Sequence, residues 1–205
     1  MYKHIVWDFD GTLFNSYPVM ALAFQKALDE EGITENLDEI MRHMKVTMQH
    51  AIEIYKEKYQ LMDPFFERSN KIYMEMGVEQ YKPYPYIEAI CKEISEAGKF
   101  NYLYTHRGES ALQILKFYKL NDYFKDCIIS THGFERKPSP QALNHLIEKH
   151  KINRKEAIMI GDRDLDIMAG KNAGISSCYF DDTGKVSQIA DYNISEFKQL
   201  YDIVF

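Results

Sequence analysis

The sequence predicts an α/β fold, a Rossmann-like open parallel sheet interrupted early by a small all-helical insert. Three observations predict it. Short apolar runs recur and each stops at a polar cluster, as strands buried on both faces do. From about residue 83 these runs alternate with helical patterns in β-α-β order. Between about residues 16 and 82 only helical patterns remain.

The first strand is "HIVW", ending at Asp8. Alone, "HIVWDFDG" also reads as an edge strand entering a hairpin, because Asp-Gly is a strong turn signal. "YPVMALAFQKALDEEG" then sets Met20, Phe24, Ala27 and Leu28 on one helical face and stops at Gly32. "LDEIMRHMK", "TMQHAIEIYKEKY" and "DPFFERSNKIYMEMG" read as three further helices. The last has Asp63 as its predicted N-cap and Pro64 at the first helical position. "KPYPY" returns the chain to the sheet. The predicted division is therefore a core of residues 1–15 and 83–205 and a helical domain of residues 16–82; one undivided core is the alternative. Beyond the return, "YIEAICKEISEAG" is a helix with Ile87, Ile90, Cys91 and Ile94 on its apolar face and Gly98 as its stop. "FNYLY", "CIIS" near 127–130, "AIMI" and "SSCYF" are the later strands. "ESALQILKFYKL", "PQALNHLIEKHKI" and "RDLDIMAGKN" are the helices among them.

Composition narrows the function classes. The chain has 205 residues, 45% hydrophobic and 27% charged, an ordinary balance for a folded globular protein. A formal net charge of −6 argues against non-specific nucleic-acid binding, since little would neutralise phosphates. Cys91, Cys127 and Cys178 form neither a CxxC pair nor a zinc pattern, which suggests a reducing, cytoplasmic compartment. No apolar run approaches a membrane span, and the N-terminus lacks a signal-peptide pattern, so no membrane partner is expected. His43, His50 and His145 read as surface or helix-face residues.

Ligands of open α/β sheets bind at the carboxyl ends of the strands, near a topological switch point. Four strand ends here carry chemistry. They hold Asp8 and Asp10; Thr105 followed by His106 and Arg107; Lys137 in "KPSP"; and Asp162, Asp164 and Asp166 in "GDRDLD". Singly, each has a bland reading: a solvated turn lysine, a strand-end hydroxyl, a helix N-cap at Asp162. Together they crowd carboxylates at one sheet edge, which repulsion disfavours unless a cation sits there. An oxygen-rich, incomplete cage suits Mg²⁺, which keeps waters and takes substrate phosphate oxygens. "DRDLD" is not a calcium loop, since Ile167 and Ala173 stand where that motif needs Gly and Glu. "AGKNAG" is not a Walker A ending, since Asn172 replaces the Ser or Thr.

"DFDGT", "YT", "KPSP" and "GDRDLDIMAGKNAG", in that order along the chain, resemble the haloacid dehalogenase superfamily of aspartate-nucleophile phosphatases and phosphotransferases. The insert after "DFDGTLFNS" resembles the small helical cap of its phosphoglycolate phosphatases and β-phosphoglucomutases. The resemblance implies a phosphatase acting on a small phosphorylated metabolite with Mg²⁺. It implies Asp8 as nucleophile, forming an aspartyl phosphate, and Asp10 as general acid and then base. It also implies that Asp8, the Asp10 carbonyl, Asp162 and Asp166 hold the metal, Asp166 directly or through a partner. Thr105 and Lys137 would bind the phosphoryl group, and Gly11 would let backbone approach it. "THRG" departs from the small polar residues usual after the family's threonine, which makes His106 and Arg107 candidates for substrate contact; a surface salt bridge is the alternative for Arg107. Asp10 disfavours a haloacid dehalogenase or phosphonate hydrolase. A phosphomutase and a non-catalytic phosphate-binding module are the remaining alternatives.

Overall fold

A computed structural model describes residues 1–205. Strand β1 (His4–Trp7) opens the chain and β2 (Phe14–Asn15) leads out of the first unit. Four helices follow: α1 (Tyr17–Glu30), α2 (Leu37–Val46), α3 (Met48–Tyr59) and α4 (Asp63–Glu75). Strand β3 (Lys82–Pro83) leads back, and β2 and β3 form a two-stranded sheet of their own. The remainder runs α5 (Ile87–Glu96), β4 (Phe100–Tyr104), α6 (Ser110–Phe117), β5 (Phe124–Ile128), α7 (Gln141–His150) and β6 (Ala157–Gly161). It finishes with α8 (Asp164–Asn172), β7 (Ser176–Phe180), β8 (Tyr192–Ile194) and a last helical turn, α9 (Tyr201–Val204). The chain divides into a sheet unit, residues 1–14 and 83–205, and a helical unit, residues 15–82.

The sheet has the order β5-β4-β1-β6-β7-β8 and every pairing in it is parallel. Trp7 of β1 is in register with Leu103 of β4 and Ile160 of β6. β1 is therefore central, and the hairpin reading of "HIVWDFDG" does not hold. Its residues Ile5, Val6 and Trp7 are buried, which is why the segment reads as an unbroken apolar run. One polar atom in this layer needs a partner and has it: the Trp7 indole N–H donates to Asn101 Oδ1 at 2.9 Å, and the Asn101 amide donates to the Cys91 carbonyl. On one face Val6, Tyr102, Tyr104 and Ile128 pack against Ala142, Leu143, Leu146 and Ile147 of α7 and Ala169 of α8.

Three local expectations are corrected. The strand expected near 127–130 is β5, three residues earlier, and Ile129 and Ser130 lie beyond it. Its exposed edge tolerates Lys125 and Asp126, which interrupt the apolar run that marks the inner strands. β8, three residues at the other edge and largely exposed, has no such run. Helix α4 starts at Asp63 with Met62 as N-cap, so Asp63 is its first residue; helix α8 is capped at Arg163, so Asp162 lies before the helix.

In the helical unit, Phe24, Ala27 and Leu28 of α1 are buried with Ile40, Met44, Tyr55 and Phe65 from α2, α3 and α4, and Met20 packs against that cluster. Gly32 follows α1 at φ 72°, a backbone setting where glycine carries no Cβ strain.

Candidate active site

The switch in strand order falls at β1, between β4 and β6, and the chemistry-bearing residues follow directly from those strands. Asp8 continues β1 by donating its N–H to the Ile160 carbonyl of β6 at 2.9 Å, and Thr105 continues β4 by donating to the Ile128 carbonyl of β5 at 2.9 Å. Backbone pairing thus fixes both side chains at the same sheet edge. Gly11, at φ 80°, turns the chain just after Asp10 in a conformation that a side chain would strain.

Asp8, Lys137 and Asp166 form a buried charged cluster. The Lys137 ammonium lies 2.5 Å from Asp8 Oδ1 and 2.7 Å from Asp166 Oδ1, with all three side chains essentially inaccessible. It also sits 4.6 Å from the centre of the Tyr104 ring, a cation–π contact. Burial alone would lower the lysine's pKa, but the two carboxylates outweigh it and hold the pKa above its usual value. Burial pushes Asp8 up to about 6, with Lys137 opposing and Asp166 adding to the rise. The second Asp8 oxygen, Oδ2, is buried without a hydrogen-bond partner. Such an atom is costly unless something outside the chain takes it.

Asp162 completes a set of three carboxylates. One oxygen each from Asp8, Asp162 and Asp166 lies within 4.8 Å of the others. A buried carboxylate with an unpartnered oxygen, grouped with two more carboxylates, fits an oxygen-liganded divalent cation. Gly161 makes the close approach of Asp166 possible, since a Cβ there would stand 2.2 Å from that of Asp166. Asp166 also accepts the Arg163 N–H at 3.1 Å, closing the start of α8. Asp10 lies outside this triad, its carboxylate Oδ1 accepting from Arg107 Nη1 at 2.9 Å. Asp164 accepts instead from the Ser187 hydroxyl at 2.6 Å.

The residues after Thr105 have partners within the chain. Arg107 is not a surface residue. Its side chain is 6% exposed, Nε donates to Ser110 Oγ at 2.9 Å, and its guanidinium stacks over Phe9. Its backbone N–H donates to Thr105 Oγ1 at 3.0 Å, which leaves the threonine hydroxyl hydrogen available to donate. His106 uses Nε2 to accept the Lys137 backbone N–H at 2.8 Å. One contributor, Thr12, and the partner of Arg107 escaped the sequence reading. Thr12 donates to Asp162 Oδ1 at 3.4 Å, and Arg107 pairs with Asp10. Thr12 was visible within "DFDGT" as a hydroxyl one residue past the turn; the Arg107–Asp10 pair carried no signal.

The family model for haloacid dehalogenase-like hydrolases matches residues 5–180. The chain belongs to that family. A phosphoglycolate phosphatase of Aquifex aeolicus (strain VF5) is 31% identical over 206 residues, 98% of this chain and 95% of the relative. One of Vibrio vulnificus (strain CMCP6) is 31% identical over 193 residues, 85% of this chain and 82% of the relative. Among solved structures, a predicted phosphoglycolate phosphatase from Haemophilus somnus 129PT superposes with a TM-score of 0.85 at 20% identity, covering 100% of this chain and 98% of that one. The Bacillus subtilis HAD-hydrolase YfnB, described as bound to magnesium and revealing interdomain movement, superposes with a TM-score of 0.80 at 18% identity, covering 99% and 98%. These last two likenesses establish the fold.

Proposed function

We propose that this enzyme hydrolyses a small phosphorylated metabolite through an aspartyl phosphate on Asp8, with Mg²⁺ held by Asp8, Asp162, Asp166 and the Asp10 carbonyl. Its class, phosphoric monoester hydrolase, rests on the family and on the phosphatase relatives. The observation that carries the mechanism is Asp8 itself: buried, with one oxygen on Lys137, the other unpartnered, and two further carboxylates grouped with it.

In the first step the Asp8 carboxylate attacks phosphorus, the ester P–O bond breaks, and Asp10 gives a proton to the departing alcohol oxygen. In the second, water attacks the phosphorus of the aspartyl phosphate, Asp10 takes a proton from it, and the P–O bond to Asp8 breaks to release phosphate. Lys137 offsets the charge of the phosphoryl oxygens and keeps Asp8 from repelling them. The Thr105 hydroxyl hydrogen is available to one phosphoryl oxygen. Arg107 fixes the orientation of Asp10. A bound Mg²⁺ would add Lewis-acid stabilisation of charge on the phosphoryl group. Before substrate binds, the charged group beside the Asp10 side chain is Arg107, a cation. Residues 16–82 act as a cap that excludes water and selects among leaving groups.

The test is phosphate release from a panel of phosphomonoesters, phosphoglycolate first, with Mg²⁺ and with chelator. Release without an added sugar bisphosphate, lost on chelation and in Asp8→Asn, is the expected result. Activity unaffected by either overturns the mechanism.

A further inference from the structure

Lys137 lies in a loop, so no helix or strand fixes its main chain. Its ammonium is tied to Asp8 and Asp166. On the function proposed above, the tie to Asp8 changes during turnover, because Asp8 becomes phosphorylated, and Asp166 is shared with the metal. The hydrogen bond from the Lys137 N–H to His106 Nε2 at 2.8 Å involves no reacting atom. The Tyr104 ring joins the two residues from a third side, edge-on to the imidazole at 6.2 Å and beneath the ammonium at 4.6 Å. Elsewhere the loop is tethered by Glu135 N–H to Gln141 Oε1 at 2.7 Å and by Asn172 Nδ2 to the Pro138 carbonyl at 2.9 Å.

We propose that His106 is a positioning residue for Lys137, a hydrogen-bond acceptor that holds the lysine's main chain, and so the reach of its ammonium, constant through both chemical steps. The role requires a neutral imidazole, because a protonated one would turn a donor toward the N–H. Burial, reinforced by the Lys137 and Arg136 charges, lowers the His106 pKa to about 3, so the acceptor is present at any working pH. This reading replaces the substrate contact expected for His106, and it rests on Lys137 binding the phosphoryl group.

The test compares His106→Leu, which removes the acceptor, with His106→Gln, whose amide oxygen can occupy the place of Nε2. Full-length Mg²⁺-loaded enzyme is assayed on phosphoglycolate and on nitrophenyl phosphate, and its affinity for inorganic phosphate is titrated. His106→Leu is expected to lower kcat/KM by about tenfold or more on both esters, by the same factor, because Lys137 serves the phosphoryl group they share. Phosphate affinity should weaken alongside, and His106→Gln should restore most of each loss. If His106→Leu does not fold, His106→Asn, whose shorter amide stops short of the N–H, replaces it. A loss confined to one ester identifies direct leaving-group contact and overturns the inference, as does His106→Gln performing no better than His106→Leu. A wild-type enzyme that neither cleaves either ester nor binds phosphate overturns instead the function on which the inference rests.

Discussion

The helical unit is built on buried rings, with most of its charges outside. Phe24, Tyr55 and Phe65 are buried together, with ring centres 5.1 and 5.2 Å from that of Phe24, while Arg68 pairs with Glu30 and Glu31, and Lys56 with Asp63, at the surface. The sheet unit does the reverse at its strand ends, burying Asp8, Lys137 and Asp166 completely enough that an Asp8 oxygen has no partner. Buried rings stabilise through apolar area and edge contacts. Buried ions carry a desolvation cost of several kcal/mol each that pairing repays only in part. Stability and chemistry are thus drawn from different side chains, and substitutions in the two places should fail in different ways.

The sharpest contrast comes from Asp8→Asn, expected to cut turnover more than about a thousandfold while leaving the fold intact. Kinetics alongside a thermal melt check it, and a melt that collapses with the activity breaks the comparison. Wild-type activity should also fall as pH drops through about 6, where Asp8 gains its proton, and added Mg²⁺ should move that limb to lower pH. Phe24→Ala is the counterpart in the helical unit. It should cost about 3–5 kcal/mol of that unit's stability, read by denaturant unfolding, and leave Mg²⁺ binding unchanged. Arg107→Gln should lower kcat by about ten- to a hundredfold by freeing Asp10. The loss should be smaller on nitrophenyl phosphate in the first step, since its leaving group hardly needs a proton; rapid mixing would then show a burst. Equal loss in that burst and on alkyl phosphates would remove Arg107 from the acid–base machinery. The smallest effect is expected from Glu35→Gln, whose carboxylate meets Lys58 and Tyr59. Burial works to raise the Glu35 pKa, yet those two hydrogen bonds outweigh it and hold it below the usual value. The pair's contribution is therefore present above the unfolded carboxylate range and is lost as pH falls from there through the lowered folded value. Screened by solvent, it should amount to less than about 1 kcal/mol in a melt at pH 7.

What could be read ahead of the structure was whatever has a local signature. The inner strands were legible because parallel pairing on both sides demands unbroken apolar runs, as in "HIVW" and "AIMI". The helices of residues 17–75 were legible from their periodicity. The edges were not: Lys125 and Asp126 interrupt the apolar run of β5, and β8 is three residues long. At the site, Asp8, Thr105, Lys137 and Asp162 stood out by chemistry at strand ends. The partners of His106 and Arg107 did not, because they lie 31 and 97 residues away and no spacing rule reaches that far.

The central place of β1 also sets an order of events during synthesis. Its neighbours, β4 and β6, begin at residues 100 and 157, so the earliest strand to be made is among the last to be enclosed. The helical unit is one continuous stretch, residues 15–82, whose internal contacts all close within that stretch, and contacts of smaller sequence separation form faster. A growing chain can therefore complete its four helices while β1, with the nucleophile just past its end, is still unpaired. The enzyme acquires its aspartate first and its active site only once Gly161 and Asp166 have emerged.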